Sequence, residues 1–240
     1  MAVIIIPARY HSSRLPGKPC LALTGKPLIQ HTYEAVQGGK RIDRIIVATD
    51  SEEIVGLVRA FGGEAILSLE KCRNGTERCA DAAKQLGLSD NTTVVNVQCD
   101  EPYMMSALVD IAVRKHENNL RFVTTLMSKV GYDWRSNLHV VKVVCTPDHK
   151  ALYFSRSDIP NGGAWWWLHH GVYLYSVQLL RLYASWEPAR LEQVEQLEQL
   201  RWLEAGYDVH CEAVPYYGIK IDTRADYDAF VVKEKSCGNI

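Results

Sequence analysis

Three cations fall in one short stretch near the start of the chain, Arg9 in Pro7-Ala8-Arg9, then Arg14 and Lys18 in Ser12-Ser13-Arg14-Leu15-Pro16-Gly17-Lys18-Pro19. Prolines and a glycine at that density break both helix and strand, so the stretch is a stiff loop. It follows Val3-Ile4-Ile5-Ile6, a β-branched run that predicts a buried strand. In open α/β sheets ligands bind beyond the carboxyl ends of the strands, and a cationic loop there suits a polyanion such as a nucleoside triphosphate. A solvated basic loop would have the same composition. Two carboxylates extend the pattern. Asp100 follows a run of apolar and β-branched residues ending at Val97, and Asp222 follows Ile219-Lys220-Ile221. Two carboxylates from distant segments, meeting near a phosphate, match what Mg²⁺ takes, with phosphate oxygens and water completing the octahedron. Taken alone, Asp222 reads better as a helix cap, since Thr223 beside it has the same use.

Alternating strands and helices must position these groups. Pro27 to Val36 has helical apolar spacing and ends at Gly38-Gly39. Arg44 to Thr49 is a strand, after which Asp50 or Ser51 caps a helix stopped by Gly62-Gly63. Glu64 to Leu67 is a short strand, Thr76 caps a helix to Gln85, and Thr92 to Val97 is the strand that leads to Asp100. This rhythm predicts an α/β fold, a doubly wound, mostly parallel sheet with right-handed crossovers. The second half is less regular. Ser106 to Glu117 is a helix, and Phe122 to Met127, Val140 to Cys145, Ala151 to Ser155, Gly171 to Tyr175 and Asp208 to Val214 read as strands, forming a small antiparallel subregion over about 120–215. Leu191, Val194, Leu197, Leu200 and Leu203 recur at helical spacing, which predicts one long helix from Leu191 to Ala205 with a buried stripe and solvated glutamates. Thr223 caps a last helix from Arg224 to Lys233. No linker or repeat divides the 240 residues, so residues 1–240 are expected to form a single domain.

Composition excludes several classes. Hydrophobic residues make up 47% of the chain, enough for a large core, and a net charge of −1 gives no general attraction to nucleic acid or membrane. The opening lacks a signal peptide's basic region and cleavage site, and no apolar run reaches membrane-spanning length, so a cytoplasmic protein is expected. The cysteines, Cys20, Cys72, Cys79, Cys99, Cys145, Cys211 and Cys237, are scattered and odd in number, the pattern of reduced thiols. His169-His170 has no ligand at metal spacing beside it.

Further motifs recur in order: Ala48-Thr49-Asp50, Gly75-Thr76-Glu77-Arg78, Asn96-Val97-Gln98-Cys99-Asp100-Glu101-Pro102, Tyr153-Phe154-Ser155-Arg156-Ser157, Leu197-Glu198-Gln199-Leu200-Arg201 and Ile221-Asp222-Thr223. With the opening loop they resemble the cytidylyltransferases that activate acidic sugars, most of all the CMP-Kdo synthetase family (3-deoxy-manno-octulosonate cytidylyltransferases), over nearly the whole chain. The resemblance implies transfer of CMP from CTP to a sugar acid, release of pyrophosphate, Mg²⁺ as cofactor, and a homodimer to which the tryptophan-rich Trp165 to Tyr175 segment would contribute. It implies Arg9, Lys18, Asp100 and Asp222 as catalytic residues, the two aspartates as metal ligands, and Ala8, Arg9, Arg14, Lys18, Gly75, Arg78 and Gln98 around the nucleotide. For the acid it implies Arg78, Gln98, Arg156, His169, Tyr173, Glu198 and Gln199, and Lys220 stands close enough in sequence to Asp222 to join them. An arginine such as Arg156 suits a carboxylate because its planar donors reach both oxygens. Arg156 in a surface salt bridge and Tyr173 in the core are the ordinary alternatives.

Three features depart from the family pattern. Cys99 replaces a usual glycine, Lys220 stands where glycine is common, and only eight residues (161–168) separate Pro160 from His169, where the family's loop is longer. They keep a second acid in view, an amino-octulosonate or a small phosphonate acid such as phosphonoformate. A non-catalytic nucleotide-binding regulator is the remaining alternative, opposed by the retention of Arg9, Lys18, Asp100 and Asp222 together.

Overall fold

The structure is a computed structural model that describes residues 2–11, 15–68, 71–134, 136–216, 218 and 220–236. The expected α/β architecture is present. Strands β1 (Ala2–Ala8), β2 (Ile42–Thr49), β3 (Glu64–Leu67) and β4 (Thr93–Val97) alternate with helices α1 (Leu28–Ala35), α2 (Glu52–Ala60) and α3 (Gly75–Gln85). After α4 (Ser106–Glu117) come β5 (Val123–Val130), β6 (Lys142–Cys145), β7 (Ala151–Ser155) and β8 (Trp166–Ser176). The chain continues through α5 (Val177–Ser185), α6 (Arg190–Glu195), α7 (Leu200–Glu204), β9 (Val209–Ala213) and α8 (Arg224–Ser236).

The strands lie in the order β3-β2-β1-β4-β8-β5-β9, with β6 paired to β7 and β8. The β3-β2-β1-β4 half is parallel throughout. Strand β8 is antiparallel to β4, β5 and β6, and β9 runs parallel to β5. Strand β1 shows why its isoleucines were a reliable signal. All of it is buried, and alternate residues serve opposite faces. Val3 and Ile5 join the core with α3, α5 and α7, while Ala2, Ile4, Ile6 and Ala8 join the core with α1, α2 and α4. The cleft opens where β1 and β4 end, as the topological switch of a doubly wound sheet requires.

Several expected elements differ. The long helix over 191–205 is two short ones, α6 and α7, separated at Gln196, whose φ of 56° lies in the left-handed region. Val194, assigned to the buried stripe, is 69% exposed, whereas Leu197 and Leu200 are buried. The break turns Glu198 and Gln199 inward, so the glutamates do not form a solvated face: the Glu192 side chain is only 12% exposed. Helix α5 was not anticipated; Ser176 starts it by accepting a hydrogen bond from Leu179 N at 3.3 Å. Asn74, not Thr76, caps α3, accepting from Glu77 N at 2.9 Å, and Thr76 Oγ1 instead meets Tyr175 Oη at 2.9 Å. Thr223 does cap α8, with Asp226 returning a hydrogen bond from Thr223 N. Most of the segment from Trp165 to Tyr175 is used inside this chain: Trp166, Tyr173 and Tyr175 are buried, and Trp165 carries its exposed apolar surface.

Candidate active site

A cleft of about 510 Å³ lies at the carboxyl ends of β1 and β4, walled by the start of α3, the middle of β8, the turn between α6 and α7, and the segment before α8. Lys18 sits at its floor in a single 3-10 turn (Lys18–Cys20), which the left-handed Gly17, φ 64°, allows to form directly after Pro16. The ammonium is almost fully buried. It donates to Asp100 Oδ2 at 2.6 Å and to Ile221 O at 3.0 Å, and Asp222 Oδ1 lies 3.5 Å away. Ile221 N in turn donates to Asp100 O at 2.9 Å, which stitches the segment carrying Asp222 to the end of β4. Burial works against the charge on Lys18, but Asp100, with Cys99 and Asp222, outweighs it and holds the pKa of the ammonium well above its ordinary value. Lys18 is therefore a fixed positive charge at every relevant pH.

The two aspartates fit a hard divalent cation. Asp100 Oδ1 is buried and has no hydrogen-bond partner among the described residues, an acceptor left over after Lys18 takes its neighbour. Among the described residues no three His, Cys, Asp or Glu side chains converge as a metal cage. Two carboxylates, with the remaining positions left to phosphate and water, are the provision typical for Mg²⁺. Lys220 pairs with Asp222 Oδ2 at 2.9 Å.

On the side expected to take the nucleotide, Arg9 is exposed at the rim and Gly75 faces Gln98. A β-carbon on Gly75 would stand 2.8 Å from Gln98 Nε2 and 3.2 Å from Pro7 Cγ, so a side chain here would displace the Gln98 amide. Gln98 itself donates to Asn96 Oδ1 at 3.0 Å. Arg78 lines the cleft with its guanidinium held by Asp50 Oδ2 at 3.0 Å and Ser68 Oγ at 2.9 Å. Ala8 is wholly buried in the core below α1 and is not part of the cleft wall, so its side chain serves packing. Arg14 lies outside the described residues.

On the opposite side the structure gathers Arg156, His169, Tyr173, Glu198 and Gln199, with Lys220 on the edge shared with the aspartates. Arg156 Nη1 donates to His139 O at 3.0 Å. Tyr173 Oη donates to Gln199 Oε1 at 3.0 Å, which leaves Gln199 Nε2 buried and without a hydrogen-bond partner among the described residues, a donor available to a ligand oxygen. His169 Nε2 meets Thr125 Oγ1 at 2.9 Å, and His170 Nε2 meets Ser128 Oγ at 2.7 Å. Burial holds His169 well below its usual range and pushes His170 down to about 3, so both rings are neutral and act as hydrogen-bonding groups, not charges. Glu198, part-buried at the cleft wall, accepts from Thr76 N at 3.3 Å. Burial pushes its carboxyl up to about 7, with the Thr76 hydrogen bonds pulling in the other direction. Cys99 is a buried wall residue whose thiol burial pushes up to about 12, which makes it inert at neutral pH.

The cleft thus unites the expected catalytic set and both expected binding sets except Ala8 and Arg14. The family model described as cytidylyltransferase matches residues 3–209. A 3-deoxy-manno-octulosonate cytidylyltransferase of Syntrophobacter fumaroxidans is 40% identical over 235 residues, covering 95% of this chain and 94% of that protein. The chain belongs to this family. A second member, from Thermodesulfovibrio yellowstonii, is 36% identical over 244 residues, covering 95% of this chain and 96% of its own. Among solved structures, a CMP:2-keto-3-deoxy-manno-octonic acid synthetase complexed with CTP superposes with a TM-score of 0.90 at 35% identity, covering 98% of both chains. A cytidylyltransferase from Leptospira borgpetersenii shares the fold, with a TM-score of 0.63 at 19% identity.

Some wall residues of this family member were not singled out from sequence. Arg73, Asn74, Glu192 and Arg201 all line the cleft. Arg201 stands in a motif already noted, but an arginine following a leucine at helical spacing looks like any solvated residue. Of the two caps expected for α2, Ser51 takes the N-cap position, and Asp50 instead holds the Arg78 guanidinium and accepts from Tyr10 N at 3.1 Å.

Proposed function

We propose that this chain transfers the cytidylyl group of CTP to 3-deoxy-manno-octulosonate, releasing pyrophosphate. The observation that carries the proposal is the buried convergence of Asp100 and Asp222 on Lys18, at the sheet edge where Arg9 and Gly75 face the same cleft. The names of the family members and the CTP held by the solved relative support the same donor and acceptor. Nucleotidyl transfer brings an anionic acceptor onto an anionic α-phosphate, so positive charge must be in place beforehand. Lys18, locked between two carboxylates and a carbonyl, costs no reorganisation when charge develops on the phosphates. Arg9 at the rim neutralises departing pyrophosphate. On the other wall the Arg156 guanidinium receives the acid's carboxylate, and Gln199 Nε2, Tyr173 and neutral His169 orient its hydroxyls.

Asp100 and Asp222 would hold Mg²⁺, which when bound supplies a Lewis acid on the phosphate oxygens. Lys220 pairs with Asp222 at 2.9 Å, which supports a place beside the two aspartates over recognition of a second anionic group on a small phosphonate acid. We infer a homodimer as well, supported by the exposed apolar side chains Tyr132, Leu138, Leu152 and Trp165 around the antiparallel subregion. Sedimentation showing only a monomer at micromolar concentration would remove this inference. A cytoplasmic location is supported by the scattered, odd-numbered cysteines of the chain and by the use of CTP. Among the described residues no helix is long and apolar enough to cross a membrane.

The substrate is tested by competition. With CTP and Mg²⁺, 3-deoxy-manno-octulosonate should exceed phosphonoformate in kcat/KM by at least about a hundredfold, because a buried donor such as Gln199 Nε2 left unpaired is costly. A small phosphonate acid turning over tenfold better would refute the assignment of the acid.

A further inference from the structure

Arg201, in the first turn of α7, is 1% exposed, although it lies on the cleft wall. Its guanidinium grips Glu192 of α6 with two bonds, Nε to Oε2 at 2.6 Å and Nη2 to Oε1 at 2.7 Å. Its Nη1 reaches Glu77 Oε1 of α3 at 3.0 Å and Trp186 O at 3.3 Å, and the group lies 4.1 Å from the centre of the Tyr183 ring. Glu192 also accepts from Asn74 Nδ2 at 3.2 Å and from Ala189 N at 3.1 Å. Glu77 also accepts from Arg73 Nε and Arg73 N, each at 2.7 Å. Every carboxylate oxygen of Glu77 and Glu192 is therefore used.

The network spans the cleft's two halves. Glu77 and Asn74 belong to the start of α3, beside Gly75 and Arg78 on the nucleotide side. Glu192 and Arg201 flank the left-handed turn that presents Glu198 and Gln199. Arg201 N and Tyr183 Oη both donate to Glu198 O, at 3.3 and 3.1 Å, and Thr76 N of α3 donates to the Glu198 carboxylate. A turn with a left-handed glutamine has no intrinsic stability to hold that geometry. Among the described residues the Arg201 fork reaches both flanking helices and α3 with oriented donors, which a lysine's single ammonium cannot reproduce.

We propose that Arg201 is a positioning residue for the transfer reaction: by tying Glu192 of α6 to Glu77 of α3 it fixes the Glu198–Gln199 turn against the nucleotide-side wall. The proposal rests on this side of the cleft being the acid's place. Charge makes it testable apart from stability. The groups facing Glu198 are Glu192 on α6, Arg201 on α7, Thr76 and Cys79 on α3, Tyr173 and Tyr175 on β8 and Tyr183 on α5. Of these Glu192 raises the Glu198 carboxyl and Arg201 lowers it.

The experiment uses the full chain. The Glu198 carboxyl carbon is titrated by NMR without substrate, assigned by its loss in Glu198→Gln, in Arg201→Met, Arg201→Lys and Glu192→Gln. Arg201→Met should move the midpoint up and Glu192→Gln should move it down, each by about half a pH unit or more, although both break the same ion pair. Arg201→Lys should leave the midpoint near wild type and raise KM for 3-deoxy-manno-octulosonate by about tenfold, with KM for CTP changed less than about threefold. Midpoints that stay fixed or move together in Arg201→Met and Glu192→Gln, or a wild-type KM for the acid in Arg201→Lys, overturn the proposal. If Arg201→Met does not fold, the downward shift in Glu192→Gln and the KM of Arg201→Lys decide it. The titration needs no substrate, so a different acid would leave the midpoints as stated and fail only the kinetic arm.

Discussion

Replacing Glu198 by glutamine should make the protein more stable at neutral pH. The Glu198 carboxyl sits at about 7 against an ordinary 4.5, because burial beside Thr76 and the cleft-wall tyrosines disfavours its charge. The folded state therefore holds a proton that the unfolded chain has already released between these two values. Stability rises with pH where the unfolded state binds more protons, so here the sign is reversed: the Glu198 contribution is full below about pH 4.5, falls as pH rises, and is lost above about 7. Converted directly, a displacement of this size is worth roughly 3 kcal/mol. One side of Glu198 faces the open cleft, and solvent there reduces the figure to about 2 kcal/mol. For a chain of this size that is about 4–8 °C in Tm. Wild type and Glu198→Gln should be melted in parallel from pH 5 to 8.5. His116, His169 and His170, all held low by burial, act in both proteins and cancel in the difference. The Tm of Glu198→Gln minus that of wild type should grow by several degrees between pH 5 and 8. A difference that is flat across the range, or that shrinks, refutes the buried, partly protonated Glu198.

Other consequences follow from single contacts. Lys18→Ala should weaken CTP binding at least about tenfold more than CMP binding, since only CTP carries the β- and γ-phosphates, and calorimetry with equal losses would count against it. Gly75→Ala forces a methyl to within 2.8 Å of Gln98 Nε2, so KM for CTP should rise severalfold with Tm little changed; unaltered kinetics would show that this wall does not meet the nucleotide. Trp202, 1% exposed and packed against Tyr175, Tyr183, Trp186 and Tyr207, anchors the core beneath α7. Trp202→Ala should cost about 3–5 kcal/mol in urea unfolding, and a cost below about 1 kcal/mol would mean that this cluster is not a rigid part of the core.

The first half of the chain was legible because its physics is local. Strand β1, the strand before Asp50 and the strand before Asp100 are bracketed runs of β-branched residues, and the helices between them end at glycines that take positive φ, such as Gly38, Gly62 and Gly87. The cluster of Lys18, Asp100 and Asp222 was legible for a related reason, since each follows a strand or precedes a cap that places it at one rim. The stretch 191–205 was misread because spacing records only where leucines fall. Nothing in Leu191-Glu192-Gln193-Val194 shows that Gln196 leaves the helical region or that Val194 faces water. What decides the break is tertiary, the grip of Arg201 on Glu192 and Glu77 and the hydrogen bonds at Glu198. Arg78 lines the cleft, but its pairing with Asp50 joins residues far apart in sequence, which periodicity cannot report.

The most direct measurement is pyrophosphate release from CTP with 3-deoxy-manno-octulosonate and Mg²⁺ by wild type, Asp100→Asn and Asp222→Asn, with far-UV circular dichroism to confirm folding. Each asparagine keeps the shape of the side chain and removes the charge that meets Lys18. Wild type should release pyrophosphate in step with the formation of the CMP-linked acid, and each variant should fold yet lose turnover by about 10²-fold or more, the scale for a missing electrostatic partner of the transition state. Either variant retaining near-wild-type turnover, or wild type releasing no pyrophosphate with this acid, would contradict the account.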